Sequence, residues 1–88
     1  MITTEQVNAI AAKIETLGVD ESAVSELRQQ YQPIHFTYCM DDDLPNNTPV
    51  IEHKDFNLYL IDGREHCLCL TNDYDVATGI VVAEIIPD

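Results

Sequence analysis

Hydrophobic positions along the chain change from helical spacing to a period of two. In MITTEQVNAIAAKIETLGV, Val7, Ile10, Ala11, Ile14 and Leu17 recur at helical spacing and make one apolar stripe. Thr3 or Thr4 can cap this helix, and Thr3 with Gln6 fits a capping box. Gly18 suits the position just past the end, where a left-handed turn costs glycine little. VDESAVSELRQQYQP predicts a second helix. Asp20 is its N-cap, Glu21 lies near the positive end of the dipole, and Val19 with Val24 fits a hydrophobic staple. Val24, Leu27 and Tyr31 are assigned to the core, and Pro33 stops the helix by restricting the residue before it.

The period then becomes two. Ile34, Phe36, Tyr38 and Met40 alternate with His35, Thr37 and Cys39, as a half-buried strand requires. DDDLPNNTP (41–49) reads as a loop, and Val50 and Ile51 as the start of a short edge strand. FNLYLI and REHCLCL flank Asp62-Gly63, which predicts a hairpin with a two-residue turn. That register sets Leu58 opposite Cys67 and Phe56 opposite Cys69. It also places Phe56, Leu58, Leu60, Cys67 and Cys69 together on a core face. TNDYDVAT is polar and turn-forming. GIVVAEII is apolar on both faces apart from Glu84, so it is expected at the centre of the sheet or at an interface.

Helices that precede strands, rather than alternating with them, predict an α+β fold. The expectation is one domain, 1–88, with two N-terminal helices packed on a three- to four-stranded antiparallel sheet. Tyr59, Leu68 and Leu70 fall on the face away from the helices and need cover, which suggests a homodimer through that face.

Charge narrows the partners. The chain of 88 residues has 16 Asp plus Glu against four Lys plus Arg, for a net charge of −12. The excess is concentrated after residue 32, where eleven acids face two bases. Such a field opposes binding to nucleic acid or anionic membrane and favours a basic protein surface. No basic leader is visible, and no apolar run approaches the roughly 18 residues that span a bilayer. Three cysteines are an odd number without scaffold spacing, which points to reduced thiols and a cytoplasmic protein.

Two stretches invite a chemical reading: HFTYCMDDD (35–43) and EHCLC (65–69). Thiolate and imidazole suit a transition metal. The spacing argues against one, with no C-x-x-C, H-E-x-x-H or EF-hand pattern. His35 and Cys39 share a strand face but stand about 13 Å apart at ~3.3 Å per residue. A composite site could use Cys39 with His66 if their strands paired. Cys67 and Cys69 also serve well as small buried hydrophobes. A nucleophilic cysteine wants a cation or helix N-terminus, whereas Cys39 precedes three aspartates that disfavour its thiolate. No carboxylate pair, phosphate loop or basic aromatic platform is present, so no cofactor and no enzymatic activity are expected.

The blocks HFTYCMDDD, FNLYLIDGREHCLCLTND and ATGIVVAEI together resemble a small uncharacterised family of acidic proteobacterial proteins associated with nitrogen-fixing bacteria. The resemblance covers nearly the whole chain. It implies no agreed activity and no catalytic residues, and it points toward an accessory protein that touches a metalloenzyme or its assembly machinery. The reading is therefore a partner-binding module. Asp41, Asp42, Asp43 and Glu52 are the surface expected to meet a basic partner. The alternative is a metal- or redox-linked accessory protein using Cys39, Cys67, Cys69 and His35 or His66.

Overall fold

The computed structural model describes residues 2–44, 47–63 and 69–86. Helix α1 (Thr4–Leu17) starts at a complete capping box. The Gln6 N–H donates to Thr3 Oγ1 at 3.1 Å, and the Thr3 N–H donates to Gln6 Oε1 at 3.0 Å. Both satisfy amides that the first turn leaves without helical partners. The helix ends at Gly18, whose φ of 94° lies in the region that side chains resist, and whose N–H donates to the Ile14 carbonyl at 2.8 Å. Asp20 then caps α2 (Glu21–Gln30) by accepting the Ala23 N–H at 2.9 Å. Lys13 ties the two helices at their surface, with its ammonium 3.7 Å from Glu26.

The strands are β1 (His35–Met40), β2 (Ile51–Glu52), β3 (Phe56–Asp62), β4 (Cys69–Thr71) and β5 (Gly79–Glu84). A 3-10 turn, Asp41–Asp43, follows β1. The order across the sheet is β1-β5-β3-β2, with β4 also on β3. The α+β expectation holds, with two corrections. The sheet has five strands, and it is mixed: β1 pairs β5 in parallel, while β3 pairs β5, β2 and β4 antiparallel. β5 is central, as its two-sided apolarity requires. That central place lets β1 return beside it from a distant part of the chain.

The hairpin register is a third departure. β3 and β4 pair as Asp62↔Cys69, Ile61↔Leu70 and Leu60↔Thr71, so residues 63–68 separate the arms rather than a two-residue turn. The Gly63 N–H donates to Thr78 Oγ1 at 2.9 Å, which draws the end of β3 toward the segment before β5 instead of into a tight turn. Phe56 consequently faces Glu84, and Leu58 faces Val82 and Ile51. Cys69 is exposed beside Asp62 instead of packing on Phe56. Cys67 and His66, with Arg64, Glu65 and Leu68, lie outside the described residues.

One face of the sheet takes the helices. Val7, Ile10 and Ile14 of α1 and Val24 and Leu27 of α2 pack with Phe36, Phe56, Leu58, Leu60, Ile80 and Val82, most of them fully buried. Each such side chain contributes about 1.5–3 kcal/mol by burial, so this layer carries the fold. Tyr59, Ile61, Val81 and Ala83 form a second cluster on the opposite face, joined by Cys39, Leu44 and Leu70. Those four are at most 5% exposed within one chain. Of the residues for which the sequence reading sought cover, Tyr59 is buried within one chain, Leu70 is half-buried, and Leu68 lies outside the described residues.

Candidate functional site

The 3-10 turn after β1 folds over this second face. Leu44, whose N–H donates to the Asp41 carbonyl at 3.0 Å, packs against the Tyr59 cluster. Asp41 itself is held from below. Its Oδ1 accepts a hydrogen bond from Asn57 Nδ2 at 2.9 Å and another from the Tyr59 hydroxyl at 2.8 Å. Period-two alternation in β3 puts Asn57 and Tyr59 on one face, two residues apart, so both reach the same carboxylate oxygen. Tyr59 is buried, and a buried phenol requires a partner. Burial, and then the bond to Asp41, holds its hydroxyl above the ordinary tyrosine range.

The three aspartates therefore have two roles. Asp41 is half-buried and anchored, while Asp42 and Asp43 are exposed. Glu52 is exposed on β2 directly opposite Asn57, and Asn57 faces Ala83, which faces Cys39. A single row, Cys39–Ala83–Asn57–Glu52, thus crosses the second face with Asp41 bound at Asn57. All four residues singled out for partner binding lie at this corner. Its anchors, Asn57 and Tyr59, were not singled out from sequence, although a polar pair at i and i+2 in an otherwise apolar strand is a readable signal.

Cys39 is half-buried in the same row. Burial first, and the Asp43 and Asp41 charges next, push its thiol up. Those causes favour the protonated, unreactive form. His35 is exposed four residues away, in the row of Gly79 and Ile61. Cys69 is separated from Cys39 by three strand spacings, about 14 Å across the sheet. Among the described residues no three His, Cys, Asp or Glu side chains are grouped to hold a metal. The remaining described histidine, His53, stacks on Phe56 with ring centroids 4.4 Å apart and has Nε2 3.5 Å from Glu15. It fastens the β2–β3 turn to α1.

On the helix side, the Tyr38 hydroxyl is hydrogen-bonded to Glu84. That bond, then burial, then the charges of Glu84, Glu21 and Asp20 push its pKa up to about 12. Acidic groups therefore lie on both faces of the sheet near the end of β1. No described helix is long and apolar enough to cross a membrane.

Residues 9–85 match the model of DUF6129, a family of unknown function. The chain belongs to this family. The expectation of an uncharacterised family spanning nearly the whole chain is met, and the description of DUF6129 assigns neither an activity nor a partner. No curated protein and no solved structure matches the chain.

Proposed function

We propose that this DUF6129 chain is a binding module, not an enzyme, and that it presents the corner Asp41, Asp42, Asp43 and Glu52 to a basic surface on a protein partner. One observation carries the reading: the double hydrogen bond from Asn57 and Tyr59 to Asp41. It fixes the turn, so Asp42 and Asp43 project from a braced platform beside Glu52. Preorganised charge loses less side-chain freedom on binding than charge on a floppy loop. The net charge of −12 adds long-range steering toward a cationic surface. Each exposed ion pair contributes only about 0.2–1 kcal/mol, so several must act together and the complex must weaken with salt.

Three cysteines, an odd number without scaffold spacing, fit a cytoplasmic setting. The metal- or redox-linked alternative has less support. Cys39 sits where its thiolate is disfavoured, and His35 and Cys69 stand away from it.

The test is capture from a native extract on the immobilised full chain, at about 50 mM and 150 mM salt. A basic protein retained at low salt and reduced at higher salt is the expected result. Recovery of nothing at either salt contradicts the proposal.

A further inference from the structure

The two edges of the sheet differ. One is divided between β2 and β4, of two and three residues. The other is β1, six residues long, with the sequence HFTYCM and no carboxylate, lysine or arginine in it. Long, uncharged edges are the ones that accept another strand. The His35 N–H donates to the Thr78 carbonyl, so the backbone groups of His35, Thr37 and Cys39 turn toward β5. Those of Phe36, Tyr38 and Met40 turn outward. The Phe36 carbonyl confirms the alternation, because it accepts the Arg28 Nε–H from α2 at 3.2 Å. Arg28 thus closes one acceptor at one end. The Tyr38 and Met40 amides and the Tyr38 carbonyl have no hydrogen-bond partner among the described residues.

Charge selects what could lie there. Asp20, Glu21 and Glu84 are near enough to Tyr38 to act on its hydroxyl, and Asp41 and Asp43 act on Cys39. The open half of the edge is therefore flanked by acids on both faces of the sheet, continuous with the Asp41–Asp43 corner. A second copy of this chain would bring a further −12 to the same place.

We infer that the outward edge of β1, at Tyr38 and Met40, takes an extended segment carrying lysine or arginine as a sixth strand. This rests on the partner-binding reading above and names the form of the ligand. Backbone bonds to the edge would set register, and basic side chains at alternate positions, all on one side of the added strand, would meet the acids on that face. Arg28 on the Phe36 carbonyl limits the pairing to the acidic end.

The experiment uses the full chain and an eight-residue peptide alternating lysine with threonine. A second form of the peptide is N-methylated at every central backbone amide, which keeps the charge but removes strand pairing. Amide hydrogen exchange at Tyr38 and Met40 and the apparent Kd are read by NMR. The unmethylated peptide is expected to slow exchange at both amides, and methylation to weaken binding by about tenfold or more, since at least two backbone bonds are lost. Met40→Pro removes an outward N–H and is expected to weaken the unmethylated peptide alone. Equal binding of both peptides, binding without protection, or no binding overturns the inference. So does concentration-dependent protection of Tyr38 and Met40 without peptide, which would assign the edge to a second copy. Equal binding that is lost on neutralising Asp42 and Asp43 would end the strand-addition idea and leave the acidic-corner reading standing.

Discussion

The Tyr59 hydroxyl donates to Asp41 Oδ1 at 2.8 Å, joining residues 18 apart in sequence. It links the core of the second face to the most acidic turn of the described chain. Asp41→Ala leaves the buried Tyr59 hydroxyl and the Asn57 amide without this acceptor. The expected cost is about 1–3 kcal/mol, the penalty for stranding polar groups. Tyr59→Phe should cost less, because Asn57 still holds Asp41. Urea midpoints of the two variants check the order. Asp42→Ala, at an exposed neighbour, should change stability by no more than about 0.5 kcal/mol.

Tyr38 makes an alkaline prediction. Its pKa is raised to about 12, principally by the bond to Glu84, so the folded state favours the neutral phenol. A group whose folded pKa exceeds its unfolded value stabilises fully below the unfolded pKa, about 10 for tyrosine. That contribution is lost as pH rises from about 10 to about 12. Absorbance titration should show Tyr38 ionising late, with Tyr59 also above the ordinary range, and Tyr38→Phe should remove one phenol from the late phase. Stability of Tyr38→Phe should also fall less across this interval.

Gly79 and Gly18 separate two reasons for glycine. A Cβ on Gly79 would stand 2.7 Å from the His35 carbonyl oxygen, inside the parallel β1–β5 ladder. Gly79→Ala must push the strands apart, and a cost of about 1–3 kcal/mol is expected for such overpacking. Exchange protection should fall at Thr37 and Cys39, whose amides face β5. A Cβ on Gly18 meets nothing within 4 Å, but its φ of 94° is strained for alanine. Gly18→Ala should therefore cost about 1–2 kcal/mol, with its effect confined to the end of α1.

Thiol reactivity distinguishes the cysteines. Cys69 is exposed, whereas Cys39 is partly buried with Asp41 and Asp43 acting against its thiolate. Iodoacetamide at neutral pH should modify Cys69 well before Cys39, as followed by peptide mass mapping. Asp43→Asn should quicken Cys39 modification. Faster labelling of Cys39 than of Cys69 would restore weight to the redox alternative.

The sequence was informative where contacts are local. Thr3 with Gln6, Gly18 and Asp20 act within three or four residues, and each sits as read. The place of β5 followed from its apolar residues on both faces. The parallel pairing with β1 did not, because a strand alternates in the same way whichever direction its neighbour runs. Asp62-Gly63 carries a strong two-residue turn signal, but a long-range partner, Thr78, takes the Gly63 N–H. The candidate corner shows the same division. Four acids near it were visible in the sequence. The difference between anchored Asp41 and exposed Asp42 and Asp43 arises only when β3 brings Asn57 and Tyr59 beneath the turn.

The central claim is that this corner, rather than overall acidity, recognises the partner. The most direct measurement is the affinity of a captured basic partner for three forms of the chain at physiological salt. These are wild type, the corner variant Asp42→Asn/Asp43→Asn/Glu52→Gln, and an equal-charge variant at other exposed acids, Glu5→Gln/Glu26→Gln/Asp75→Asn. The account predicts that the corner variant weakens binding about tenfold or more, while the equal-charge variant stays within about twofold. Equal weakening by both variants would contradict it, because bulk charge would then suffice.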